Sequence, residues 1–266
     1  KGEALVVLDT SAYENKDLEF LHSNNASNVD FNFDAYNLQV RKAINDSKVV
    51  LPNKKVSLLV MHPQVPKLYG LNKTHKDTLR PVVTSYCHPA FAVSRYLASF
   101  FVTAAQVVSV RYVKNSTALA EALAKGVYPS SATLFSFDVE VMYANIPVKF
   151  TIKLMCDLLS ENGVPYTHVL EFKKLMDLCV GKNFCGFRGR IYMFQDGLPM
   201  GGPLSALIAN VFMRHLKNEV LSTAPHHHYV LEWYRYVDDI FCIWVVLLRR
   251  WMNFLFFLIP STNVSP

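Results

Sequence analysis

Two aspartates stand side by side in Tyr236-Val237-Asp238-Asp239, between strand-like runs at 230–234 and 240–244. Flanks so rich in β-branched and aromatic residues predict a hairpin over 229–244, with the two acids at its turn. By itself an Asp-Asp turn is ordinary, because a turn aspartate bonds its own backbone. A second acidic strand changes the reading. Phe135-Ser136-Phe137-Asp138-Val139 also sets a carboxylate among apolar residues, which is costly unless something positive meets it. Carboxylates from both segments converging on Mg²⁺ would remove that cost, since hard cations take oxygen ligands.

Between the two acidic segments lies Gln195-Asp196-Gly197-Leu198-Pro199-Met200-Gly201-Gly202-Pro203. Its glycines let backbone approach a ligand, and Pro203 suits the first turn of a following helix. The same features describe a purely structural loop before a helix, and both readings stand at this point. The pattern GxxxxGK[ST] is absent, which disfavours a P-loop. His226-His227-His228 reads as a polar loop, because consecutive histidines cannot all face one ion. Glu140 shares the strand face of Asp138 by alternation and is left outside the catalytic set.

These residues need elements to hold them. Helical spacing covers 34–46, and 51–85 reads as short strands and loops. Asn115 caps a helix that ends near Gly126. A strand is expected over 134–143, closed by Asn145-Ile146-Pro147. Helices follow at 148–162 and 167–181, then a hairpin over 183–194 turning near Arg188-Gly189. A helix opening after Pro203 would bury Leu204, Leu207, Ile208, Val211 and Phe212. The order is mixed α+β, with antiparallel pairing at the end.

Composition bounds the rest. The 266 residues hold 27 Lys+Arg against 21 Asp+Glu, a formal charge of +6, and the pI near 9.0 favours a polyanionic partner. With 51% apolar and 18% charged residues, a disordered or collagen-like chain is excluded. Five cysteines, an odd number without a CxxC pair, argue for reduced thiols rather than a disulfide framework or zinc ribbon. The apolar run from 240 is broken by Arg249-Arg250, so it reads as a buried strand and helix rather than a membrane anchor. A start at Lys1-Gly2-Glu3, with neither Met nor signal peptide, reads as a piece of something longer.

Taken together, the acidic strand, the Gly-Leu-Pro-Met-Gly helix entry and the Tyr-x-Asp-Asp hairpin resemble a polymerase palm of reverse transcriptase type. More narrowly, the chain resembles the reverse transcriptases of Penelope-like retroelements. The matching segments are Pro66-Lys67-Leu68-Tyr69-Gly70-Leu71-Asn72-Lys73-Thr74-His75-Lys76 and Leu79-Arg80-Pro81-Val82-Val83-Thr84-Ser85. To these add Asp138-Val139, Tyr143-Ala144-Asn145-Ile146-Pro147 and Pro199-Met200-Gly201. The resemblance runs from Lys1 to about Trp251.

It implies an α+β right-hand polymerase fold: fingers over 1–130, a palm with an antiparallel catalytic sheet over 131–247, and an incomplete C-terminal region over 248–266. It further implies an RNA-directed DNA polymerase that adds dNTPs to a DNA primer 3′-OH on an RNA template, using two Mg²⁺ ions, with Mn²⁺ as a substitute. Asp138 and Asp238 would be metal ligands, Val139 would offer its carbonyl, and Asp239 would support the pair. Tyr143 would sit under the sugar and exclude a ribose 2′-OH, although an ordinary core aromatic is the plain alternative. Arg80 would grip the triphosphate, with Lys73 and Lys76 as further cations. Gln195, Gly197, Pro199, Met200 and Gly201 would shape the floor under the nucleotide.

Departures are Gly202, where the family usually has Ser, Ala206, where it often has Pro, and a chain that stops before a thumb. The competing expectation is therefore an inactive, truncated retroelement remnant that keeps at most nucleic-acid binding. An RNA-dependent RNA polymerase is disfavoured by Tyr143. Nuclear residence follows only from the family's need to reach chromosomal DNA, and no membrane partner is expected.

Overall fold

A computed structural model describes residues 7–72, 79–106, 113–139, 141–223 and 227–245. Along the chain run α1 (Thr10–Ser23), β1 (Ser27–Asn28), α2 (Phe33–Asp46), β2 (Lys67–Asn72), β3 (Leu79–Thr84), α3 (Phe91–Ala104) and α4 (Ser116–Ala124). Then come β4 (Thr133–Asp138), α5 (Val148–Glu161), α6 (Tyr166–Val180), β5 (Phe184–Phe187) and β6 (Arg190–Met193). The last are α7 (Ser205–Thr223), β7 (Val230–Tyr236) and β8 (Asp239–Trp244). Two compact units contain them, one from 1–107 with 143–209 and one from 108–142 with 210–266.

Local chemistry starts and stops these elements. Asp9, Asn32 and Asn115 accept backbone N–H groups at the entries of α1, α2 and α4, the donors an unaided helix leaves unsatisfied. The helix α5 has no such help from its own cap residue, Pro147. Past its end at Glu161, Gly163 with φ +77° and the bond from Val164 N–H to the Leu159 carbonyl close the last turn in a left-handed cap.

In the first unit the described strands form one mixed sheet in the order β1-β6-β5-β2-β3. All neighbours are antiparallel except β2 and β5. Leu21, Leu68, Val83, Cys185, Phe187 and Tyr192 make a buried cluster on it. Phe101 of α3 and Phe172 of α6 stack with ring centroids 5.9 Å apart, joining the helices behind. In the second unit β4-β8-β7 form an antiparallel sheet. By register Ile240, Cys242, Trp244 and Trp233 share one face and are buried, while on the other face Leu134, Ser136, Asp138, Tyr236 and Asp239 are exposed but Tyr234 and Ile243 are buried. One face is therefore covered, and the other is open at the end that carries the acids.

Most expected elements are present, with two corrections. The strand expected over 134–143 stops at Asp138, and 142–145 form a 3₁₀ turn. Its partner β8 begins at Asp239, opposite Asp138; one more bond, Val139 N–H to the Asp238 carbonyl, follows, and Val141 leaves the extended region at φ +48°. In the second hairpin the turn residues are Val237 and Asp238, while Asp239 already belongs to the ladder, paired with Tyr236. Of the residues expected to be buried on α7, Leu204, Ile208 and Val211 are, while Leu207 and Phe212 are half-buried. The helix expected after β8 lies outside the described residues. All five cysteines are free, and no helix among the described residues is long and apolar enough to cross a membrane.

His88 offers a test of the first unit. Burial holds its imidazole down to about 4, and its Nδ1 accepts the Ala90 N–H at 3.2 Å, which requires the unprotonated ring. The unfolded chain takes up a proton near pH 6.5 that the folded chain refuses. Stability is thus intact above pH 6.5 and falls by on the order of 2–3 kcal/mol as pH drops toward 4. Urea unfolding at pH 7 and pH 4.5 should show a larger loss for the wild type than for His88→Asn, which keeps the acceptor but not the titration. Parallel losses would refute this assignment.

Candidate active site

The three aspartates meet at one end of the β4-β8-β7 sheet. Asp138 and Asp239 are register partners in adjacent antiparallel strands. Side chains directly opposite in such a pair emerge on the same face, so both carboxylates lie together at the open end of that face, and both are exposed. Asp238 occupies the turn, one residue before Asp239. Its carbonyl accepts the Val139 N–H at 3.1 Å, which ties the turn to the end of β4. Among the described residues no cation pairs with any of the three acids, and no group of three His, Cys, Asp or Glu side chains closes around a metal position.

Like charges directly across a ladder destabilise it. The rung Asp138–Asp239 therefore costs free energy that a divalent cation would remove. The donor set fits Mg²⁺, which needs only one or two protein carboxylates and completes its shell with water and phosphate oxygens. A closed protein cage is not required. The register sets Asp239, rather than Asp238, face to face with Asp138.

The turn itself is strained. Val237 is β-branched yet has φ +53°, a conformation that costs about 1–3 kcal/mol where the surroundings impose it. What imposes it includes Arg235, whose Nη1 donates to the Val237 carbonyl at 2.6 Å while Nη2 donates to Asn210 Oδ1 at 2.8 Å. Arg235 was not singled out from the sequence. Its only signal was a cation in a largely apolar strand, shared with Glu232, next to the acids.

The other expected site residues belong to the first unit. Arg80 is exposed on β3, across from Leu71 of β2. Further along β3, Val83 N–H donates to the Met200 carbonyl at 3.0 Å, and just past the strand Ser85 Oγ donates to the Gly201 carbonyl at 2.9 Å. A Cβ at Gly201 would stand 2.9 Å from the Val83 carbonyl oxygen, and φ there is +104°, so glycine is required on both counts. The upstream part of the loop is bound to a different segment. Leu198 N–H donates to the Tyr143 carbonyl at 2.7 Å, and Asn183 Nδ2 to the Gly197 carbonyl at 3.1 Å. Asp196 Oδ1 accepts both Gly197 N–H and Val148 N–H, and so caps α5 in place of Pro147.

The loop 195–202 is thus fastened to the Tyr143 segment at one end and to β3 at the other. Tyr143, Pro199 and Met200 are half-buried, Gln195 is exposed and Gly197 is buried. Lys73 and Lys76, like Glu140 and His226, lie outside the described residues. Asp196 is a second residue that sequence reading passed over. The Asp-Gly pair signals a turn, but not that its side chain caps a helix 48 positions away in the chain.

No protein-family model matches the chain, and no curated protein matches it by sequence. By fold it is similar to apo telomerase from Candida tropicalis, at TM-score 0.57 and 10% identity over 89% of this chain and 43% of that one. It is also similar to the same enzyme truncated from its C-terminal domain, at TM-score 0.52 and 13% identity over 74% and 47%. A third match is telomerase from Candida tropicalis in complex with a fragment of telomeric RNA, at TM-score 0.51 and 10% identity over 76% and 38%. The chain spans less than half the length of these structures. The likeness establishes a reverse-transcriptase-like α+β fold.

The loop contacts give a stability test. At Gly197, with φ +82°, an added Cβ would collide with the Ala144 carbonyl oxygen. Gly197→Ala is expected to destabilise the chain by about 2–4 kcal/mol, and Asp196→Ala by about 1 kcal/mol through the lost cap. Urea titration measures both; a Gly197→Ala protein as stable as the wild type would contradict the close approach.

Proposed function

We propose that this chain is an RNA-directed DNA polymerase, extending a DNA primer 3′-OH with dNTPs on an RNA template. The observation that carries the reading is the pair of like charges, Asp138 and Asp239, facing each other on one rung, with Asp238 adjacent. A folded protein has no stability reason to build that rung. The reverse-transcriptase-like fold and the basic pI support the same conclusion.

Asp138, Asp238 and Asp239, with the Val139 carbonyl, are the groups that would hold Mg²⁺, and Mn²⁺ suits the same oxygen donors. Bound there, two divalent ions supply charge stabilisation for the attacking and leaving oxygens of an in-line displacement. The rest falls to the chain's own side chains. Arg80, with Lys73 and Lys76, binds the triphosphate, a task suited to a guanidinium fork. Tyr143 limits room at the sugar and so prefers dNTPs. The loop carrying Gln195, Gly197, Pro199, Met200 and Gly201 supports the base, and its fastening to both β3 and the Tyr143 segment keeps it from yielding. Within reverse transcriptases, the segments at 66–76, 79–85 and 143–147 favour the Penelope-like retroelements, and a retroelement enzyme of that kind works in the nucleus.

Primer extension on an RNA template with Mg²⁺ tests the activity. Extension should be abolished by Asp138→Asn and by Asp238→Asn, and Tyr143→Ala should raise NTP use relative to dNTP use. Failure of the wild type to extend at any protein concentration would leave a nucleic-acid-binding remnant instead. Thermal melting tests the rung without turnover. Mg²⁺ or Mn²⁺ should raise the melting temperature of the wild type. Asp138→Asn should melt higher than the wild type in EDTA and lose the response to metal. A variant that melts lower in EDTA would show that the facing carboxylates do not repel.

A further inference from the structure

We infer that Arg235 is a positioning residue that aims the Asp238 carboxylate by fixing the peptide plane in front of it; the inference rests on the polymerase reading of the three acids. A peptide unit is rigid and planar, so holding the Val237 carbonyl also holds the Asp238 nitrogen attached to the same carbon. Arg235 Nη1 makes that hold at 2.6 Å, a charge-assisted bond. The peptide on the other side of Asp238 is held as well, by Val139 N–H on the Asp238 carbonyl. With both flanking planes fixed, the Cα–Cβ direction of Asp238 is set.

The guanidinium reaches this position from the covered face of the sheet. Arg235 pairs with Ile240, whereas its neighbour Tyr236 pairs with Asp239, and successive strand residues alternate sides. Arg235 therefore lies on the face opposite the Asp138–Asp239 rung and works through backbone rather than by touching a substrate. Its second arm ends on Asn210 Oδ1 of α7, and its own carbonyl accepts the Val113 N–H at 3.1 Å. The planar fork spans the turn and the helix at once, which a lysine ammonium cannot reproduce. Asp138 and Asp239 owe their placement to the ladder; Asp238, in the turn, has one cross-strand bond, through its carbonyl, and the peptide on its other side is held by Arg235.

The test uses the full chain with Arg235→Met, Arg235→Lys and Asn210→Ala, and Asp238→Asn as a reference. Hydrogen exchange at the Val139 amide in the metal-free protein reads the turn directly, and Mn²⁺ affinity by electron paramagnetic resonance reads the carboxylate. Arg235→Met should speed Val139 exchange and weaken Mn²⁺ by about 10-fold or more, as loss of groups that orient a ligand does elsewhere. Arg235→Lys and Asn210→Ala should fall between it and the wild type. In primer extension the Mg²⁺ concentration for half-maximal rate should rise, with KM for dNTP unchanged. Wild-type exchange at Val139, or Mn²⁺ affinity within about twofold of wild type, in Arg235→Met overturns the inference. Should Arg235→Met fail to fold, Asn210→Ala decides by the same two readings. A wild-type chain that binds Mn²⁺ but extends no primer defeats the polymerase reading alone, and the exchange result still decides the role of Arg235.

Discussion

The repulsion between Asp138 and Asp239 across one rung of the β4-β8-β7 sheet is the constraint around which the second unit is organised. Nothing about that rung helps folding. It is retained by the pairing that leads up to it: five further register partners join β4 to β8, and the buried side of β8 carries Ile240, Cys242 and Trp244. Phe137 and Trp233 meet edge to face, 5.7 Å between centroids, on that same covered side. Apolar burial of this kind contributes roughly 2 kcal/mol per large side chain, well above the fraction of a kcal/mol at stake in one like-charge pair. The sheet can therefore hold two exposed carboxylates face to face and still fold.

The first unit solves a different problem, that of making a glycine-rich loop rigid. Segment 195–202 has no ladder or helix bonds of its own to fix it. It is fixed instead by being shared between two neighbours: the Tyr143 segment, through Leu198 and Asp196, and β3, through Met200 and Gly201. Glycine is needed where the loop comes closest to each neighbour, at Gly197 and Gly201, because a side chain would enter a carbonyl oxygen. The positive φ values of these two residues serve that approach. The tight turn at Val237 lacks a glycine, and the structure meets its strain with a guanidinium instead.

Most helices and hairpins could be read along the chain, because caps, periodicity and turn residues act over a few positions. Asn115 at α4, the hairpin over 184–193 and the helix after Pro203 are examples. What escaped were features set by a partner distant in sequence. The strand expected over 134–143 stops at Asp138 because its neighbour begins there, and the cap of α5 comes from Asp196. The helices α1 and α3 carry no signal as sharp as the acidic motifs. Among the site residues, the types and order of the acids were plain, whereas the support given by Arg235 and Asp196 was not.

The sequence by itself determined the chemical inventory: three carboxylates in strand-like surroundings, a glycine-rich helix entry, and cations that suit a polyanionic partner. These follow from residue type and local spacing, which need no partner to act. Only the tertiary structure decided which acid faces which. Register depends on how two strands pair over their whole length, and a slip of one residue would have sent Asp239 to the covered face. The division of the chain into two units that interleave along it was likewise decided by contacts between distant segments, which short-range propensities do not encode.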